Sequence, residues 1–283
     1  MAVVVVVWGL GPPTTKLVTA PPLIGTFVRF GISSPLLIVV LAARRRVLSR
    51  KVFIATALPG LSFGINLIFV FATLQEATVS VLSTVVAMQP ALLLVLAGPL
   101  FREYPTSRQL AFTLAGVVGA VGVILGAGSE IRSSWLGVGL AALSLVTFTL
   151  YFVLTRLARS EDEVDPIEWM AGINIWAFLS TIVPILLLAD RSDWAQFGGK
   201  DWLWIAVVAF VTGVFGHVLM TWLHGHLEAA RSSLYILTMH LVAVGLAWWI
   251  HDESVTWLQM VSGGVVLLCV ALVVTAPDRR EVR

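Results

Sequence analysis

The sequence predicts an all-α membrane protein of ten transmembrane helices, arranged as two inverted five-helix repeats. Three observations carry this expectation. Hydrophobic residues make up 58% of the 283 and charged residues only 12%, with a mean hydropathy of +0.95, outside the composition of soluble domains. Apolar runs of about 20 residues, the length that crosses a hydrocarbon core, recur along the whole chain with short polar punctuation. Finally, a segment in the first half returns in the second at a constant offset of 150 residues.

The apolar runs place candidate spans at 2–19, 22–43, 52–73, 78–100, 108–127, 134–157, 167–189, 201–222, 232–250 and 256–275. Backbone polar groups in hydrocarbon are satisfied only by helices or closed barrels, and these runs lack the apolar-polar alternation of barrel strands. The start, Met1 to Trp8, has neither a basic region nor a small-residue cleavage site, so no removable signal peptide is expected.

Charged residues between the spans set the orientation. With the N-terminus inside, the inner segments carry Arg44, Arg45, Arg46, Arg50, Lys51, Arg102, Arg108, Arg156, Arg159, Arg231, Arg279, Arg280 and Arg283. The outer ones carry Lys16, Arg132, Arg191 and Lys200. Thirteen against four predicts both termini in the cytoplasm. Trp135, Trp194, Trp202, Trp204, Trp248, Trp249 and Trp257 cluster near the predicted outer ends, as indole rings do at a membrane interface.

Net charge is +2, but the basic residues form no continuous stripe, so nucleic acid is not an expected partner. The lone Cys269 has no partner for a disulfide or a metal site. Phosphate-loop, HExxH and GxSxG motifs are missing, and with them any motif for a cofactor or for nucleotide-driven pumping. Gly60 with Gly64 and Gly122 with Gly126 form GxxxG pairs; close helix approach is the ordinary reading, and a homodimer contact is the alternative.

Glu103, Thr106 and Gln109 match Glu253, Thr256 and Gln259, and the same offset sets Pro90 opposite His240 and Ser83 opposite Ser233. Two units follow, 1–128 and 134–276. Five spans are an odd number, so the second unit enters the membrane from the opposite side. Inverted repeats of this kind are typical of secondary transporters, with the binding site near mid-membrane where the repeats meet.

The chain resembles the drug/metabolite transporter superfamily, in its EamA-like branch. The resemblance rests on Trp8-Gly9 with Lys16 in the first span, Arg29-Phe30 in the second, and Arg102-Glu103 and Asp252-Glu253 where the family usually has Gly-Glu after its fourth and ninth helices. His240 stands where the ninth helix usually has proline. The resemblance implies a central cavity and movement of small organic metabolites across the cytoplasmic membrane, outward rather than inward, by alternating access. An amino acid or related compound is the implied substrate. The alternatives are an intramembrane enzyme, for which His217, His224, His226 and His240 would have to converge, and a sensor or scaffold.

All sixteen acidic residues lie in loops or near helix ends, so a carboxylate proton relay has no carrier within the spans. If transport is proton-coupled, His240 and His217 are the candidates, set against neutral histidines bonded to a neighbouring helix. Arg29, about 10 Å below the predicted outer surface, and Lys16 either attract an anionic solute or snorkel outward as anchors; snorkelling is the favoured reading for Lys16. Gln89 precedes Pro90, where a missing backbone donor either exposes polar groups to a cavity or makes a plain kink. Asn66, Asn174, Trp8 and Tyr235 complete the candidate cavity lining. The acidic turns after spans four and nine are expected to cap helices or form ion pairs.

Overall fold

The structure, a computed structural model, describes residues 2–89, 92, 96, 106–126, 134–158, 164–224 and 229–274. The break expected at Pro90, the Arg102-Glu103 turn and residues 159–163 fall outside them. So do the side chains of Tyr235 and Ser233.

Most of the described residues are helical, with no strand among them. α1 (Ala2–Gly9) and α2 (Gly11–Lys16) share the first apolar run. α3 (Pro22–Ala43) follows, then α4 (Arg50–Ala55), α5 (Ala57–Glu76) and α6 (Val79–Val86). The next helices are α7 (Ser107–Gly126), α8 (Trp135–Ala158), α9 (Pro166–Leu188), the short α10 (Arg191–Gln196) and α11 (Lys200–Val207). A π-helical segment, Val208–Gly216, joins α11 to α12 (His217–His224). α13 (Ala229–His251) and α14 (Trp257–Val274) complete the order. Each of the ten expected stretches therefore contains helix.

Among the described residues five helical stretches are long and apolar enough to cross a membrane: Pro22–Ala43, Ala57–Glu76, Trp135–Thr155, Pro166–Leu188 and Lys200–Met220. Shorter apolar helices lie at Leu110–Val123, Met239–His251 and Trp257–Leu272. Their outward faces are bare hydrocarbon. Leu186, Leu187 and Val118 are each more than 70% exposed, a surface that lipid satisfies and water does not. Trp135, Trp249 and Trp257 are about as exposed, and all three lie at the bundle end that also carries Lys16.

Local chemistry sets the helix ends. The Ser49 and Thr78 hydroxyls accept from the N–H groups of Val52 and Val81. The Asp165 carboxylate accepts from Ile167 and Glu168 ahead of Pro166 at the first helical position. Each satisfies donors that a helix start leaves orphaned. Arg45 ends α3 in the left-handed region, at φ 55°.

α5 lies along α8, α7 along α14, and α9 against both α3 and α5. α1 packs on α13, α6 touches α8 and α13, and the π segment sits against α3 and α1. Both GxxxG pairs serve these internal contacts. A Cβ on Gly60 would meet Trp176 Cβ at 2.6 Å and the Ile173 carbonyl at 2.8 Å, and one on Gly64 would collide with Ser180 and Ala177 of α9. Gly122 and Gly126 likewise face Ser262, Gln259 and Leu258 of α14.

Polar ties hold each end of the bundle. At one end, Arg46 pairs with Asp165 at 2.9 Å and the Ser49 N–H donates to Glu168 at 2.9 Å. At the other, the Thr19 N–H donates to Asp201 at 2.8 Å. There Lys16 departs from the snorkelling expectation. Its ammonium bonds Glu253 at 2.7 Å and the Ala77 carbonyl at 2.8 Å, because packing brings in a carboxylate 237 positions away. Glu253 also accepts from the Val79 N–H at 3.1 Å and so caps α6. The turn carrying Glu253 puts Asp252 at φ 52°, a left-handed conformation suited to glycine. His251 Nε2 lies 2.8 Å from the Pro13 carbonyl; a carbonyl only accepts, so this nitrogen carries the proton.

Candidate functional site

Arg29 sits on α3 between Phe30 and the next turn, and its side chain is 3% exposed. It runs along the interior and does not rise to the nearer surface. The guanidinium carbon lies 4.9 Å from the Phe30 ring centre and 5.8 Å from that of Phe63 on α5. One terminal nitrogen is 3.3 Å from where a Cβ on Gly213 would stand, so glycine at this position of the π segment leaves it room. Gly213 is thirteen residues from the helix start at Lys200, near mid-depth of a core about 30 Å thick.

Arg29 Nε and Nη1 have no hydrogen-bond partner, and Arg29 forms no ion pair, among the described residues. Two cation–π contacts supply about 0.5–2 kcal/mol each, against several kcal/mol for taking a cation out of water. The aromatic surroundings soften the burial and leave a deficit.

Aromatic rings continue from Arg29 across the interior. Phe63 packs edge-on against Phe30 at 5.7 Å and against His217 at 5.0 Å, and lies 4.9 Å from Tyr151 of α8. His217, at the junction of the π segment and α12, meets the Trp8 ring at 4.8 Å. A Cβ on Gly216 would stand 2.7 Å from Trp8 Cδ1, so this glycine too admits a ring. The buried Trp8 Nε1–H lacks an acceptor among the described residues. π-helical turns recur at functional sites because the widened turn re-aims side chains; this one presents Gly213 to Arg29 and Gly216 to Trp8.

Of the sequence candidates, Trp8, Arg29 and His217 come together. His240 is buried on α13, with no ring or polar contact to that group among the described residues. Gln89 is buried with Nε2 unpartnered among the described residues. Tyr235 lies within α13, its side chain outside the described residues.

Asn66 and Asn174 are helix clamps. The Asn66 amide donates to the Ser144 carbonyl at 2.8 Å and hydroxyl at 3.0 Å, joining α5 to α8. Asn174 accepts from Ser33 at 2.7 Å and donates to Met170 at 2.8 Å, joining α9 to α3. In this structure the Asn66 amide and the Asn174 carbonyl oxygen bond to neighbouring helices, while the Asn174 N–H bonds back within its own helix. Sequence reading passed over Phe63, Tyr151, Gly213 and Gly216; a glycine pair three apart just before His217 was the available signal.

Arg29, Ser33 and Leu37 follow one another at four-residue spacing on one face of α3. Beyond Leu37 that face borders an apolar cavity of about 400 Å³ between α3, α9 and the π segment, walled by Val40, Val214 and Val218, with Arg44 and Asp165 at its rim.

The EamA-like transporter family matches residues 1–125 and 135–275. A protein of known crystal structure superposes with a TM-score of 0.66, covering 99% of this chain and 96% of that one at 19% identity, a likeness of fold. A protein-methionine-sulfoxide reductase heme-binding subunit, MsrQ, from Ralstonia nicotianae is 27% identical over 120 residues. That match takes in 38% of this chain and 54% of the relative, so the chain spans about half the length of the curated relative.

Proposed function

Because this chain belongs to the EamA-like transporter family, we propose that it is a secondary transporter moving small organic metabolites across the cytoplasmic membrane, outward, by alternating access. The observation that carries the reading is the Trp8–Arg29–Phe63–His217 group, with Arg29 and Phe63 buried and Trp8 and His217 half-buried beside them. It draws α1, α3 and α5 from the first family-matched stretch and α12, with the π segment, from the second. A site at the meeting of two halves is where rocking of one half against the other changes access.

The packing supports a symmetric pair of five-span units, 1–128 and 134–276. Take the ten stretches in order and exchange each with the one five places on. The α3–α9, α6–α13 and α7–α14 contacts map onto themselves. α1–α13 maps onto α6–α8, α5–α9 onto α3 with the π segment, and α5–α8 onto α1 with the π segment; all are present. Five spans per unit would make the repeats inverted, and the arginine bias supports both termini inside. In this conformation the Lys16–Glu253 pair and its bond to Val79 tie three helices at one end. Alternating access requires that tie to release. His217, within the group, and His240, buried on α13, are the proton carriers if flux is coupled to protons.

Purified protein in liposomes tests the reading. Counterflow of a metabolite from a broad panel, dependent on the inserted protein, is the expected result; no counterflow across the panel overturns it. A haem absorbance band without flux would instead favour a role like that of the Ralstonia relative. If His240→Ala leaves rate and pH profile unchanged, His240 has no part in coupling.

A further inference from the structure

Within this ring group the buried polar atoms left unpartnered among the described residues are donors. Arg29 presents Nε and Nη1, Trp8 its Nε1–H, and none has an acceptor among the described residues. Their ligand must bring acceptors. A single guanidinium balances one negative charge, whereas a phosphate dianion would leave a net charge buried in hydrocarbon. The walls are flat rings, Phe30 and Phe63 beside the guanidinium and His217 between Phe63 and Trp8, which suit an apolar body next to the charge. No carboxylate among the described residues pairs with Arg29 or lies in this ring system. An ammonium group on the ligand would meet a cation and find no anion. The glycines at 213 and 216 let the guanidinium and the Trp8 ring lie directly against the π segment.

We propose that Arg29 is the anchor for the carboxylate of a monoanionic organic acid with an apolar or aromatic body, with Trp8 as second donor, and that the site selects such acids over both neutral analogues and zwitterionic amino acids. This rests on the transport reading of the same group and narrows its substrate class.

The probes are matched sets: 3-phenylpropionate, its amide and phenylalanine; indole-3-propionate, its amide and tryptophan; 4-methylpentanoate, its amide and leucine. Equilibrium binding to the purified full chain is measured for each. In at least one set the acid binds about tenfold or more tightly than both companions, Arg29→Gln erases the preference, and Arg29→Lys keeps part of it. The proposal is overturned if no acid outranks its amide, if amino acids bind as tightly as the acids, or if Arg29→Gln keeps the ranking. Stability is a second readout. Since Arg29 has no ion pair and its Nε and Nη1 no hydrogen-bond partner among the described residues, and its two ring contacts leave a burial deficit, Arg29→Met unfolds at the same temperature as the parent or higher; a marked fall would reveal a polar structural partner and sink the assignment. Flux of the same compounds separates the two readings. Acids that bind and are not moved count against transport alone, while flux without preference for acids counts against Arg29 alone.

Discussion

Glu253→Gln removes the charge that joins three helices at one end of the bundle. The carboxylate accepts 2.7 Å from the Lys16 ammonium and 3.1 Å from the Val79 N–H, with side chains only 8% and 15% exposed for Glu253 and Lys16. Breaking a buried pair by removing one partner costs about 3–5 kcal/mol, and an exposed pair contributes about 1 kcal/mol or less. This pair stands near the buried limit. The amide can still accept from Val79 and from Lys16, which recovers part of the loss. A destabilisation of about 2–3 kcal/mol is expected. Lys16→Met with Glu253→Gln leaves no stranded ammonium, so the double variant should be more stable than the sum of the single losses by about 1–2 kcal/mol. Cys269, the chain's one cysteine and 6% exposed, provides the assay: a thiol-reactive dye labels it on unfolding, and the midpoint temperature is followed for all four proteins. Strict additivity of the two changes, or a Glu253→Gln protein with the parent midpoint, would refute the coupling.

Three further outcomes follow from the packing. Asp252→Gly relieves a left-handed residue at φ 52° and should raise stability by about 0.5–1 kcal/mol less the entropy glycine adds to the unfolded chain; a lowered unfolding midpoint would contradict it. Gly64→Ala gains up to about 1 kcal/mol in helix propensity but drives a methyl into Ala177 backbone atoms; overpacking of about 1–3 kcal/mol wins, read as a lowered midpoint. Asn66→Ala should cost about 1 kcal/mol through the lost bonds to Ser144 while leaving ligand preference as in the parent, measured by the same binding panel.

The all-helical membrane class was legible because a membrane helix is a local property. About 20 apolar residues suffice whatever they pack against, and among the described residues each expected stretch contains helix, five of them long and apolar enough to cross a membrane. Part of the site was legible for a related reason. A cation, a histidine and a tryptophan within apolar runs are rare, so Arg29, His217 and Trp8 stood out, whereas Phe63 and Tyr151 looked like any other apolar residue.

What each polar group does was decided by tertiary structure. Arg29 near the start of α3 has two directions open to it, and only the space over Gly213 and the rings of Phe30 and Phe63 turn it inward. Lys16 finds its partner 237 residues on, and Asn174 its own on a helix 141 residues earlier. Hydropathy along the chain reports that a residue is in the membrane, because transfer into hydrocarbon depends on the residue alone. Whether its hydrogen bonds are filled depends on which helix lies opposite, and that is a property of the packed bundle.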